Sequence, residues 1–206
     1  MPVVHVQLDK MSIEAVKNFY DNNAGIIKNN YQPYNAVVLD QSISQHFIRL
    51  FSFADVKNNS KVLDIGSGAG KFCMIGSVCT NGHFTGVEQR DNLHLLAEQI
   101  FKKYQLKNIN FINSNINQIE FNNYEAFYFF NPFYENIIQF EKIDDAIDVK
   151  NDLYDEYSNY VKNQLDLMPL GTRLVTFFSA YDEVPISYQL ISKDDRQKIS
   201  MWEKKE

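Results

Sequence analysis

The string Val62-Leu-Asp-Ile-Gly-Ser-Gly-Ala-Gly-Lys71 constrains this chain more than any other. It reads as a buried strand that ends on an acid, followed by glycines at 66, 68 and 70 and then a helix. Glycines at a strand-to-helix crossing permit positive φ and let a ligand approach the backbone, with the helix N-terminus pointing at it. From Lys61 onward, short apolar runs alternate with helical stretches, the signature of βαβ units and a mainly parallel sheet. Strands are predicted at Lys61 to Ile65, His83 to Glu88, Ile109 to Asn113, Ala126 to Asn131 and Arg173 to Phe178. Helices are predicted at about 69 to 80, 91 to 105 and 150 to 167. Ser187 to Ser192 and Lys198 to Trp202 flank Lys193-Asp-Asp-Arg196, which predicts a C-terminal antiparallel hairpin. The expected fold is α/β: a doubly wound, mostly parallel sheet of seven strands with helices on both faces.

Before this region the pattern is helical. Ile13, Val16, Phe19 and Tyr20 predict a short helix over 11 to 24, and Val37 through Phe51 predict a second over about 36 to 53. Residues 1 to 60 are therefore expected to be a helical extension packing on a core domain of 61 to 206. With 206 residues there is material for one sizeable core, and a second full domain is not expected.

The detail around the glycines separates the candidate ligands. A dinucleotide fingerprint GxGxxG needs its third glycine at position 71, where Lys71 stands. A P-loop needs GxxxxGK[ST], and Gly66 to Lys71 is too short, with Phe72 after the lysine. Asp64, two residues before the first glycine, adds negative charge where a pyrophosphate disfavours it. It suits the positively charged amino and sulfonium groups of S-adenosylmethionine (SAM).

DIGSGAG resembles the D/E-x-G-x-G-x-G signature of class I SAM-dependent methyltransferases, whose fold is Rossmann-like. The resemblance runs from about Lys61 to the C-terminus and makes this the SAM-binding domain. It implies that Asp64, Gly66, Ser67, Gly68 and Gly70 cradle the cofactor. Glu88, 24 residues beyond Asp64, falls where the family takes both ribose hydroxyls with an acid, and Gln89 follows it. A carboxylate accepts two hydrogen bonds from a vicinal diol. Asn115, followed by Ile116, stands where the family usually has an acid for the adenine amino group, a departure that leaves an amide oxygen for the task.

Asn131-Pro-Phe-Tyr134 resembles the [DN]-P-P-[YF] motif of methyltransferases acting on planar amino groups, with Phe133 in place of the second proline. The resemblance implies that Asn131, which also borders the cofactor, and Pro132 accept hydrogen bonds from the amino group while Tyr134 stacks on the substrate. The phenylalanine-rich fourth strand is also similar to that of class I protein-lysine methyltransferases. On that reading Phe130, Phe133, Tyr134 and Tyr181 line a channel that desolvates an ammonium. The expected function is methyl transfer from SAM to a nucleophile, a nitrogen foremost. The alternatives are a SAM-fold protein that binds without methylating and a nucleotide-dependent oxidoreductase.

The net charge of −6 disfavours a nucleic-acid acceptor, so a protein side chain or small amine is preferred. Asp144, Asp145 and Asp148 read either as an acidic cover that attracts a basic substrate or as a solvated face. Tyr31-Gln-Pro-Tyr34 is read as a cofactor cover or a plain loop. Cys73 and Cys79 are expected to be reduced packing residues, and His5, His46, His83 and His94 lack metal-ligand spacing, so no metal is expected. The N-terminus resembles no signal peptide and no apolar run is long enough to span a bilayer, so a cytoplasmic setting without membrane association is expected.

Overall fold

The computed structural model describes residues 59–138, 143–179, 183–194 and 198–206. The helices predicted over 11 to 24 and 36 to 53, the Tyr31 to Tyr34 stretch and Tyr181 lie outside the described residues. Seven strands form one sheet: β1 (Lys61–Ile65), β2 (His83–Glu88), β3 (Ile109–Asn113), β4 (Ala126–Phe130), β5 (Arg173–Phe177), β6 (Tyr188–Asp194) and β7 (Ile199–Lys204). Their spatial order is β3-β2-β1-β4-β5-β7-β6. The first five pair in parallel, while β7 runs antiparallel to both β5 and β6. The expected Rossmann-like sheet with its C-terminal hairpin is therefore present.

Helix α1 (Lys71–Cys79) follows β1, α2 (Asp91–Lys103) follows β2 and α3 (Asn151–Asp166) precedes β5. Because strand side chains alternate, β1 sends Val62 to one face and Leu63 and Ile65 to the other. Val62 joins Phe72, Met74, Ala97 and Ile100 of α1 and α2. Leu63 and Ile65 join Tyr157, Val161 and Leu165 of α3, spaced four apart so that they share one helix face. Burying side chains of this size is worth about 1.5–3 kcal/mol each. The Phe72 ring stacks on Tyr128 with centroids 3.9 Å apart and an interplanar angle of 6°, fixing α1 against β4. Asp91 in the first turn of α2 and Lys102 and Lys103 in the last complement its dipole.

The predicted boundaries of β1, β2 and β3 agree with those observed, while β4 and β5 each end one residue earlier. The extra residues, Asn131 and Phe178, have φ of 41° and 52°, so the chain turns out of the sheet there. The hairpin strands reach further than predicted, and a register shift between Leu190 and Ser192 marks a bulge on the edge strand. Among the described residues no helix is long and apolar enough to cross a membrane.

Candidate active site

Strand order reverses between β1 and β4. The segment after β1 leads away to β2 and the segment after β4 leads toward β5, so a crevice opens beyond their carboxyl ends. A cleft of about 280 Å³ occupies this point, near the lower end of the range for small-molecule sites. Gly66, Glu88, Gln89, Asn115, Ile116 and Asn131 line it. Pro132, Phe133 and Tyr134 line it as well, together with Phe130. Of the ten residues expected to bind the cofactor, Asp64, Ser67, Gly68 and Gly70 do not reach the cleft wall.

Their placement has local causes. Gly70 caps α1 in a left-handed conformation, and the Gly68 amide donates to Glu88 Oε2 at 3.0 Å. Ser67 lies over β2, where its backbone N–H donates to Val87 O at 2.9 Å and a Cβ on Gly86 would stand 2.7 Å from its own. The Ser67 hydroxyl is buried without a hydrogen-bond partner among the described residues.

Asp64 is buried, and Cys73 Sγ donates to its Oδ2 at 3.5 Å. Burial, opposed by the Cys73 contact and reinforced by the charge of Glu88, pushes its carboxyl up to about 8. Burial likewise raises the Cys73 thiol, which lies in the core as a free cysteine with little thiolate to react. An acid whose pKa is raised on folding binds its proton more tightly in the folded state, so its stability penalty grows as pH rises from about 4 to about 8. Asp64→Asn is therefore expected to raise the melting temperature of the ligand-free protein by about 3 °C or more at pH 8 and by little at pH 4. A gain independent of pH between those values would contradict a buried, protonatable Asp64.

Glu88 ends β2 with both carboxylate oxygens engaged. Oε2 takes the Gly68 amide and Oε1 takes the Arg90 amide at 2.8 Å. Burial raises its pKa, while those two amides and the Arg90 guanidinium pull it back. A carboxylate has about four lone-pair sites, so acceptor capacity remains toward the cleft.

Asn115 caps a 3₁₀ turn over Ile116–Gln118: its Oδ1 accepts from the Asn117 amide at 3.2 Å. Its Nδ2 donates to the Tyr157 hydroxyl at 2.7 Å and to Gln89 Oε1 at 3.4 Å. Part of its capacity is thus structural, which the expectation of a free adenine acceptor did not include.

On the opposite wall the left-handed backbone at Asn131 turns the chain into the cleft, and the Tyr134 amide donates to Asn131 O at 3.4 Å. The Asn131 carboxamide makes no hydrogen bond to another described residue. A Cβ on Gly66 would stand 2.5 Å from Pro132 Cβ, so the two loops touch. Phe133 packs between Phe129 and Tyr157, with centroids 5.8 and 5.6 Å away. Phe130 and Phe178 extend the aromatic wall at 6.2 Å. Phe178 is 47% exposed despite its positive φ. Sequence reasoning missed Tyr157, Phe178, Arg90, Glu135 and Ile143, which also line the cleft. Among the described residues no cluster of three metal-ligating side chains occurs.

The three acids after β4 divide. Asp144 accepts from Arg90 Nε at 3.0 Å and Asn92 Nδ2 at 3.1 Å, and Asp148 pairs with Lys150 at 3.2 Å. Asp144 and Asp148 thus have partners within the chain, which weakens the case for an acidic cover.

A family model described as a methyltransferase domain matches residues 56–196. No curated protein matches the sequence. Among solved structures, the fold is similar to an RNA methyltransferase from Salinibacter ruber in complex with S-adenosyl-L-homocysteine (TM-score 0.57, 14% identity), covering 82% of this chain and 95% of that one. It is also similar to TrmN from Thermus thermophilus (TM-score 0.55, 18% identity), covering 79% of this chain and 48% of that one. The [4+2]-cyclase SpnF shares it too, at TM-score 0.52 and 11% identity over 78% of this chain and 58% of the cyclase. This chain thus spans about half the length of the Thermus protein.

Proposed function

Since this chain belongs to the methyltransferase-domain family and is a class I SAM-dependent enzyme, we propose that its cleft holds SAM and presents the methyl to an acceptor nitrogen beside Asn131. The observation that carries this reading is the Asn131 carboxamide. It stands on strained backbone at the switch point, without a partner among the described residues, across from Gly66.

The residues fit the cofactor. Glu88 has lone pairs left for the ribose hydroxyls, Asn115 and Ile116 flank the place of the adenine, and Gly66 leaves its backbone open to the ligand. The orphaned Ser67 hydroxyl behind the loop offers a further polar atom to a ligand that shifts it. Bound SAM supplies an electrophilic methyl. The chain's own contribution is positional: Asn131 Oδ1 and the Pro132 carbonyl accept from an acceptor NH₂, Tyr134 stacks on it, and the aromatic wall excludes water.

The Salinibacter ruber neighbour, an RNA methyltransferase, brings RNA into the acceptor question, while the net charge of −6 favours a protein side chain or small amine. One observation favours a second reading, a protein that binds SAM without methylating: SpnF, a cyclase by description, has the same fold.

The test begins with calorimetric titration by SAM, S-adenosylhomocysteine and NAD, followed by a radiolabelled-methyl screen over peptides, RNAs and small amines. SAM and its demethylated product are expected to bind and NAD is not. Glu88→Gln is expected to weaken SAM about tenfold to a hundredfold, the cost of about 1.5–3 kcal/mol for a charge-assisted hydrogen bond. It should also lower the melting temperature, because the Gly68 or Arg90 amide then faces a donor. Binding of NAD in preference to SAM would reject the proposal. Tight SAM binding with no methyl acceptor in any class would favour the second reading.

A further inference from the structure

Arg90 is 3% exposed and stands two residues beyond Glu88, on the cofactor side of the cleft. Its backbone amide donates to Glu88 Oε1 at 2.8 Å, and its guanidinium crosses to the segment that follows β4. There Nη2 donates to Glu135 Oε2 at 2.6 Å and Nε donates to Asp144 Oδ1 at 3.0 Å. Both acids are held from behind: the Ile143 amide donates to Glu135 Oε2 at 3.3 Å, and the Ala146 amide donates to Asp144 Oδ1 at 3.0 Å. Glu135 is itself buried and sits one residue after Tyr134, on the acceptor side. One residue therefore connects the carboxylate assigned to the ribose, through its backbone amide, with the segment assigned to the acceptor, through its buried cation.

A guanidinium is suited to this position because its rigid fork serves two carboxylates at once and stays charged in a buried setting. Removing it leaves Glu88, Glu135 and Asp144 repelling one another with no cation between them, and truncating one partner of a buried ion pair is the strongly unfavourable change. We propose that Arg90 is a positioning residue that ties the cofactor side of the cleft to its acceptor side, holding Glu135 and Asp144 against the end of β2. Cofactor that orders Glu88 then orders the acceptor segment through Arg90. This inference rests on the cofactor reading above.

Amide hydrogen exchange with S-adenosylhomocysteine as probe tests it without a known acceptor. In the full-length wild-type protein, the probe is expected to slow exchange about tenfold or more in residues 66–70 and also in 134–138 and 143–150. In Arg90→Gln, protection at 66–70 should persist while that at 134–138 and 143–150 falls to within about twofold of the ligand-free rate. Arg90→Lys, with a single point donor, should retain part of it. Should Arg90→Gln not fold, Glu135→Gln and Asp144→Asn carry the same expectation from the other end of the contact. A merely structural arginine would change exchange equally with and without the probe, so equal ligand-dependent protection in wild type and Arg90→Gln overturns the inference. Protection at 66–70 with none at 134–150 in the wild type also overturns it, leaving the cofactor assignment standing. Absence of binding to the wild type rejects the cofactor assignment itself, and the coupling with it.

Discussion

Gly66→Ala is expected to weaken SAM binding by a hundredfold or more, and Gly66→Val to abolish it. A Cβ at this position would lie 2.5 Å from Pro132 Cβ and 3.4 Å from its Cα, distances that only a shift of the Asn131–Pro132 turn relieves. The backbone at Gly66 has φ of +74°, which adds roughly 1–2 kcal/mol for any L side chain. Because the conflict begins at Cβ, alanine already carries most of the effect. The displaced turn holds the cleft wall, so the loss appears in affinity before it appears in folding. Gly171→Ala is the control: its φ is +85° but nothing lies within 4 Å of the added Cβ. That variant is expected to lose stability, by about 1 kcal/mol, with unchanged affinity. Calorimetric titration of S-adenosylhomocysteine beside thermal melts reads both quantities. Gly66→Ala binding within a few-fold of wild type would show that the contact with Pro132 does not shape the site.

The parts of the site legible in the sequence are those that depend on neighbours in the chain. β1 and the glycines after it form one continuous pattern, a buried run followed by residues able to turn sharply, so the bounds of the strand are legible to the residue. The same pattern put Glu88 at the last position of β2, while its proposed role toward the ribose came from the family resemblance. The missed residues share the opposite property. Arg90 meets Glu135 and Asp144 across 45 and 54 positions, and Asn115 meets Tyr157 across 42. No periodicity marks such partners, because only the order of the strands in space brings them together. Asn115 did carry a local signal that went unread: an asparagine just before a short turn is a capping residue. The early ends of β4 and β5 follow from positive φ at Asn131 and Phe178, a conformation that asparagine favours only weakly and that phenylalanine does not announce.

Asn131→Ala is expected to leave SAM affinity within a few-fold of wild type while lowering the methyl-transfer rate by about a hundredfold or more, the scale of one well-placed transition-state hydrogen bond. The separation of the two effects follows from position. Asn131 stands past the end of β4, and its carboxamide has no partner among the described residues whose loss would disturb Glu88 or the glycine loop. Its backbone φ of +41° is one that asparagine and aspartate tolerate better than alanine, so a modest drop in melting temperature accompanies the change. Asn131→Asp separates backbone from chemistry: it keeps an acceptor oxygen and the same conformational tolerance. Its rate should therefore exceed that of Asn131→Ala, and Asn131→Leu should be no better than alanine. Single-turnover rates for the three variants, taken at saturating SAM with whichever acceptor the methyl screen identifies, decide the matter. Equal rates in all three would reduce Asn131 to a strand terminator and remove the argument for an amino-group acceptor.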